Sequence, residues 1–190
     1  MAAGLVGLGR GAGCTWEELG LDRRRLRGGI RVGATAARAV AGGYTVMVAT
    51  GAGRGLFQDK RVTGLSRREA MWQLGVRIPI TTVLAEELAF RGVLPALLDN
   101  PRRPRWLTEL TPSVLFGVWH VLPAWEGTRV NQAGRGSLAR TSAMEVGATT
   151  LAGGLLHLLR RWTGHLAAPA ALHLATNTLG FVTSRRMNGR

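Results

Sequence analysis

The chain has 190 residues, a length that suits one domain, and 46% of its residues are hydrophobic and 27 are glycine. Its single cysteine, Cys14, excludes an internal disulfide and a cysteine-based zinc site. The formal net charge is +14, but the 25 basic residues lie between apolar stretches and form no nucleic-acid-binding motif, so the charge favours loops at a membrane surface over nucleic-acid binding.

The first 31 residues are predicted to form an N-terminal stub and a basic lead-in helix. Residues 1–13 lack a basic region followed by an unbroken apolar core, so they do not resemble a signal peptide, and one interpretation is the stub of a membrane span. Thr15 followed by Glu17 and Glu18 predicts a helix start. The apolar and basic residues that follow predict an amphipathic helix on a membrane surface, and the alternative is a solvated linker.

Five apolar segments follow and are separated by pieces rich in Arg, Pro and Gly. They cover Val32–Gly53, Ile78–Leu98, Leu110–Trp125, Ala143–Leu159 and Gly164–Ser184. Each approaches the length of a membrane span, and no strand-like alternation recurs. The predicted fold is therefore all-α, a polytopic transmembrane bundle of about five to six helices. The membrane domain is placed at residues 32–184, with a basic tail at 185–190.

Ionisable groups inside apolar spans are costly, so each is a candidate functional residue. The first cluster comprises Glu86, Glu87 and Arg91 in the second segment. Residues i and i+4 share one face of a helix, so Glu87 is expected to pair with Arg91. Glu86 is rotated about 100° away from that pair, which makes it the better candidate for a general base. A structural salt bridge between helices is the alternative for Glu87 and Arg91.

Two further clusters lie in the third and fifth segments. Phe116 and His120 are one helical turn apart, and His120 taken alone has the alternative of an ordinary core histidine. His173 and Asn177 are also four residues apart, and an imidazole and an amide on one face can donate two hydrogen bonds to one oxyanion. Their alternative is a polar contact between helices. Together the clusters bury two carboxylates, two imidazoles and one amide, and burying five such polar groups without a function costs much free energy. They therefore predict a shared water-filled cavity and attack by an activated water.

Other hydrolase signatures are missing from the sequence: there is no H-E-x-x-H and no G-x-S-x-G. The three clusters instead read E-E-x-x-x-R at 86–91, F-x-x-x-H at 116–120 and H-x-x-x-N at 173–177. In this order they resemble the motifs of the CPBP family, the CAAX-protease and bacteriocin-processing proteins also called Abi. This family includes the type II CAAX prenyl endopeptidases. The resemblance covers about residues 75–181.

The resemblance implies a helical intramembrane protease with a conical, water-accessible cavity. It implies that Glu86 activates the water with help from His120, and that His173 and Asn177 form the oxyanion hole. It also implies a multi-pass location in a bacterial cell membrane, membrane lipid as a partner, and a peptide or protein substrate of CAAX type or bacteriocin type. No nucleic-acid partner is expected.

Two mechanisms are compatible with the family's motifs. The family is often labelled metalloprotease, and a zinc ion, if present, would be held by Glu86, His120 and His173 with an open position for water. A metal-free, glutamate-dependent mechanism is slightly preferred, because no ligand pair has the usual zinc spacing. In either mechanism Glu87 and Arg91 are implied to orient the first motif. A non-catalytic membrane scaffold or immunity protein that keeps the polar network is the alternative function.

Overall fold

The computed structural model describes residues 1–52, 57, 59–62, 64–100, 102, 104–131 and 138–188. Within these ranges all regular structure is helical, which confirms the all-α prediction. The helices that do not change type are α1 Ala2–Gly11, α2 Arg23–Thr50, α4 Arg105–Trp119, α5 Val121–Val130, α6 Leu138–Thr163 and α7 Ala167–Asn188, with a short 3₁₀ turn at Lys60–Val62. The predicted span end at 53 and the last two residues of the predicted basic tail lie outside the described residues.

The long central helix, α3, occupies residues 67–98 and alternates between α-helical and π-helical winding. Its successive parts are Arg67–Trp72, Gln73–Leu84, Ala85–Glu87, Leu88–Val93 and Leu94–Leu98, of which the second and fourth are π-helical. A capping box between Ser66 and Glu69 begins the helix. Wide π-turns are rare and often occur at functional sites, and here they flank the two adjacent glutamates of the first motif.

The lead-in differs from its prediction. Thr15 and Glu18 form the reciprocal hydrogen bonds of a capping box, with the Glu18 carboxylate accepting from the Thr15 backbone N–H at 2.6 Å and hydroxyl at 2.8 Å, but the residues that follow form a turn rather than a helix. Gly20, with φ of 73°, follows in the left-handed region that suits glycine. Helix α2 begins only at Arg23, where Asp22 caps it by accepting from the Arg24 N–H. The predicted boundary between 31 and 32 therefore lies inside one helix.

The third predicted segment, Leu110–Trp125, is two helices. Helix α4 ends at Trp119 and α5 begins at Val121, so His120 lies at the junction. The His120 N–H donates to the Gly117 carbonyl at 3.0 Å, which tightens the last turn of α4. Pro123 has no N–H to continue the α-helical ladder, which explains why the chain breaks here.

The helices pack through small residues. Helices α2 and α7 form the most extensive contact, and α4 and α6 form the next. A methyl group added at Gly33 would lie 2.8 Å from the Ala171 Cβ, and one added at Gly117 would lie 3.0 Å from the Val146 carbonyl oxygen. Close backbone approach of this kind is typical of membrane bundles. Among the described residues, however, no helix is both long enough and apolar enough to span a membrane.

Candidate active site

Helices α3 and α7 bring the first and third motifs together in the interior. The His173 Nδ1–H donates to Glu87 Oε1 at 2.8 Å, and Arg91 Nη1 lies 3.2 Å from the same carboxylate oxygen. The side chains of Glu87 and Arg91 are each 1% exposed and that of His173 is 8% exposed. The predicted pairing of Glu87 with Arg91 is present, and its carboxylate also anchors the imidazole of the third motif.

The Arg91 guanidinium is fixed from three sides. Besides its pairing with Glu87, its Nη2 donates to the Gly153 carbonyl of α6 at 3.4 Å. Its Cζ lies 4.0 Å from the centroid of the Phe116 ring, a cation–π contact. Phe116 belongs to the second motif, so this guanidinium connects the first two motif helices with α6. A buried cation held in this way orders its surroundings because moving it would leave the Glu87 carboxylate unpaired.

Glu86 has a different environment from Glu87. Its Oε1 accepts a hydrogen bond from the indole N–H of Trp119 at 3.2 Å. Its Oε2 is buried without a hydrogen-bond partner and lies 3.8 Å from His173 Nε2. That separation is too long for a direct hydrogen bond. Glu86 therefore has one hydrogen-bonded oxygen and one buried oxygen without a partner.

Trp119 is the site residue that sequence reasoning missed. It immediately precedes His120 in the second motif, but its sequence context assigned it no role. The available signal was that the indole N–H is a donor without acceptor character and needs a partner when it lies near the interior. The break after Trp119 at the end of α4 places this side chain beside α3.

His120 lies near the site without touching the carboxylates. Its Nδ1–H donates to the Phe116 carbonyl at 2.7 Å, so in the neutral ring Nε2 carries the lone pair. Its ring stacks 4.5 Å from the Phe116 ring centroid, and His173 contacts the same ring at 5.9 Å. In the part of the chain that the structure describes, His120 forms no hydrogen bond with Glu86. The two imidazoles thus share one aromatic neighbour.

Asn177 lies one turn beyond His173 on α7, along a groove rather than beside the imidazole. The groove has a volume of about 560 Å³ and also contains Tyr44, Arg77 and Thr82. Thr82 lies one turn before Glu86 on α3, so the groove runs along the two helices that carry the reactive pair. The described residues form no hydrogen bond between Asn177 and His173. The joint role of His173 and Asn177 in an oxyanion hole stays a prediction.

The residues named for a possible zinc ion do not form a metal-binding set in this arrangement. Among the described residues, no three His, Cys, Asp or Glu side chains are placed to hold one ion. His173 uses Nδ1 for Glu87, and His120 does not contact Glu86. The described residues therefore do not supply the three protein ligands that a catalytic zinc ion requires.

The comparisons with known proteins identify the family. A model of the type II CAAX prenyl endopeptidase Rce1-like family matches residues 68–179, which is more than half of the chain. No curated protein and no solved structure shows significant similarity to the chain. The matched region begins with α3 and includes all three motifs. The chain belongs to the type II CAAX prenyl endopeptidase Rce1-like family, whose members are integral membrane proteases.

Proposed function

We propose that this protein is a multi-pass intramembrane endopeptidase that hydrolyses a peptide bond near the C-terminus of a CAAX-type substrate with a water activated by Glu86. One observation carries the proposal. The Glu86 Oε2 is buried and unpartnered, and it lies 3.8 Å from His173 Nε2, while a groove of about 560 Å³ passes Asn177, one turn beyond His173. A buried oxygen without a partner is costly, which supports a use in binding water or substrate.

In the proposed reaction, Glu86 Oε2 removes a proton from a water held between Glu86 and His173. The water oxygen then bonds to the scissile carbonyl carbon, and the carbonyl oxygen becomes an oxyanion. When the C–N bond breaks, the Glu86 carboxylic acid returns its proton to the leaving nitrogen. The carboxylate is regenerated, so each turnover consumes one water and one peptide bond.

The other motif residues are assigned by their contacts. His173 Nε2, which carries the lone pair when Nδ1–H donates to Glu87, is proposed to accept a hydrogen bond from the water, and Asn177 in the adjacent turn supplies an amide donor to the oxyanion that forms from the scissile carbonyl. His120 offers Nε2 as a further hydrogen-bonding group at the cavity wall. Glu87 and Arg91 are positioning residues: Glu87 fixes the orientation of His173, and Arg91 compensates the charge of Glu87.

The test is the Glu86→Gln variant with a matched Glu126→Gln control. Both substitutions change one oxygen to nitrogen, but Glu126 is exposed on α5 and lies outside the site. Loss of a general base typically costs about 10²- to 10⁴-fold in rate, so we expect Glu86→Gln to lose cleavage of a quenched prenylated CAAX peptide in proteoliposomes. Glu126→Gln should cleave at the wild-type rate.

The same experiment separates the protease from a non-catalytic scaffold. A protease predicts that Glu86→Gln remains folded, with helical circular dichroism and thermal unfolding close to wild type, while cleavage is lost. A scaffold predicts that the main effect of Glu86→Gln is a lower yield of folded protein. Wild-type cleavage by a folded Glu86→Gln protein would refute the assignment of the base.

A further inference from the structure

A second polar cavity includes Arg91 in its wall. Its volume is about 330 Å³, and it is lined by the C-terminal end of α3, the first turns of α4, the last turns of α6 and the turn before α2. Neither glutamate of the first motif lines it, and neither does His173. Arg91 is the one motif residue on its wall. The cavity is therefore separate from the groove that contains Asn177.

The wall of this cavity is rich in hydrogen-bond donors that suit an anion. Four guanidinium groups line it: Arg91, Arg105, Arg160 and Arg161. Helix α4 begins at Arg105 with no side-chain cap and no acidic residue in its first turn, so its free N–H groups face the same end. The positive end of a helix dipole and arginine forks together form the usual chemistry of phosphate sites.

Two of the three carboxylates on the wall are already neutralised or hydrogen-bonded. Glu109 forms an ion pair with Arg161, and Glu18 accepts from the backbone N–H and hydroxyl of Thr15. Asp99 is the third carboxylate. Arg161 is paired with Glu109 and Arg91 with Glu87. Among the described residues, Arg105 and Arg160 are therefore the two guanidinium groups on this wall without a carboxylate partner at ion-pair distance. The charge arrangement therefore favours an anionic ligand.

A buried polar atom without a partner indicates that the cavity is built for a ligand. His157 is 5% exposed, lines the cavity, and its Nδ1 has no hydrogen-bond partner. Arg160 uses Nη2 for the Glu17 and Glu18 carbonyls, both at 3.0 Å, and the residue also lines the cavity. A guanidinium or an imidazole N–H on this wall can donate to an acceptor, which the oxygens of a phosphate group supply.

We propose that this cavity binds a phosphate group, carried either by a lipid headgroup or by a free phosphate ion. The phosphate oxygens accept hydrogen bonds from Arg105, Arg160 and the first turn of α4, and His157 contacts the ligand from the inner wall. Arg91 is shared between the two sites, since its guanidinium both lines this cavity and pairs with Glu87. Phosphate binding can be measured without turnover, so its failure is distinguishable from a failure of the proposed cleavage reaction.

The test measures binding of two phosphate probes to the purified full-length protein in neutral detergent. Inorganic phosphate is followed by isothermal titration calorimetry, and short-chain phosphatidic acid is compared with the matching diacylglycerol by native mass spectrometry. Two variants target the rim of the cavity. Arg105→Gln removes an exposed guanidinium, and Thr108→Asp places a carboxylate in the first turn of α4, where it repels a phosphate but stabilises the helix. Arg68→Gln, an exposed arginine at the start of α3, is the matched control.

We expect Arg105→Gln to weaken phosphate binding about ten-fold and Thr108→Asp to abolish it, while Arg68→Gln binds as wild type. Binding of phosphatidic acid alone assigns the site to a lipid headgroup, binding of inorganic phosphate alone assigns it to the free ion, and binding of both shows that the phosphate group itself is recognised. The proposal is overturned if neither probe binds, if diacylglycerol binds as tightly as phosphatidic acid, or if all three variants behave alike.

Discussion

Two ion pairs in this protein have similar chemistry and opposite surroundings. Glu87 and Arg91 lie 3.2 Å apart with side chains 1% exposed, whereas Asp59 and Arg61 lie 2.7 Å apart with side chains 25% and 47% exposed. The loop pair is shorter, but water solvates either partner if the other is removed. In the interior, removal of either Glu87 or Arg91 leaves the other charge buried and uncompensated. Burial, rather than distance, therefore decides which pair controls the structure.

The largest expected effect comes from breaking the interior pair. Arg91→Leu leaves the Glu87 carboxylate buried and uncompensated, which typically costs about 3–5 kcal/mol of unfolding free energy. The matched Arg61→Leu variant should lose less than about 1 kcal/mol, because its pair is partly solvated. Thermal unfolding in detergent, followed by circular dichroism, measures both. Equal losses for the two variants would contradict the role given to burial.

An intermediate effect is expected at Trp119, an exposed side chain that donates a hydrogen bond to Glu86. Trp119→Phe removes the hydrogen bond to Glu86 but retains an aromatic ring, and the side chain is already 60% exposed. A hydrogen bond to a charged group contributes about 1.5–3 kcal/mol, so we expect kcat to fall about ten-fold or more with little change in Tm.

The measurement for Trp119→Phe is kcat and KM together with thermal unfolding. A residue that positions the base lowers kcat and leaves KM and Tm close to wild type. A purely structural role for Trp119 would lower Tm instead.

The smallest effect is expected in the loop pair and depends on pH. Burial raises the pKa of Asp59, but hydrogen bonds from the Arg61 side chain and backbone outweigh burial, so the net pKa lies below its usual value of 3.8. A carboxyl whose pKa is lower in the folded state stabilises the fold above its unfolded pKa. This contribution is lost as the pH falls through the folded pKa.

Asp59→Asn should therefore cost less than about 1 kcal/mol at neutral pH, and its difference from wild type should shrink below pH about 4. Unfolding of both proteins across the acid range measures this difference. A difference that stays constant down to the lowest pH would show that the ionised carboxyl is not what stabilises the loop.

The sequence predicts the parts of the site that depend on local helical spacing. The pairing of Glu87 with Arg91 follows from four-residue separation, and the structure confirms it. The contact between Glu87 and His173 joins residues on two helices, so no local rule could specify which carboxylate meets the imidazole. Trp119 was missed for the same reason: its partner Glu86 lies on another helix. The catalytic roles of these residues stay predictions.

The fold class was predictable because the apolar segments recur without strand-like alternation, but the helix ends were not. Thr15 and Glu18 form the hydrogen bonds of a helix start, yet Gly20 adopts a left-handed conformation five residues after Thr15, and α2 begins only at Arg23. His120 was placed inside one segment, whereas two helices meet there. Helix ends depend on competition among local hydrogen bonds that composition alone does not rank.

The contact at Gly117 limits how this protein can diversify. Its missing side chain lets α4 approach α6 so closely that an added Cβ would lie 1.8 Å from the Thr150 hydroxyl oxygen and 3.0 Å from the Val146 carbonyl oxygen. Helix α6 also supplies the Gly153 carbonyl that holds Arg91. A random library at position 117 should therefore yield functional clones that retain glycine, and engineering of the substrate groove has to leave this crossing untouched.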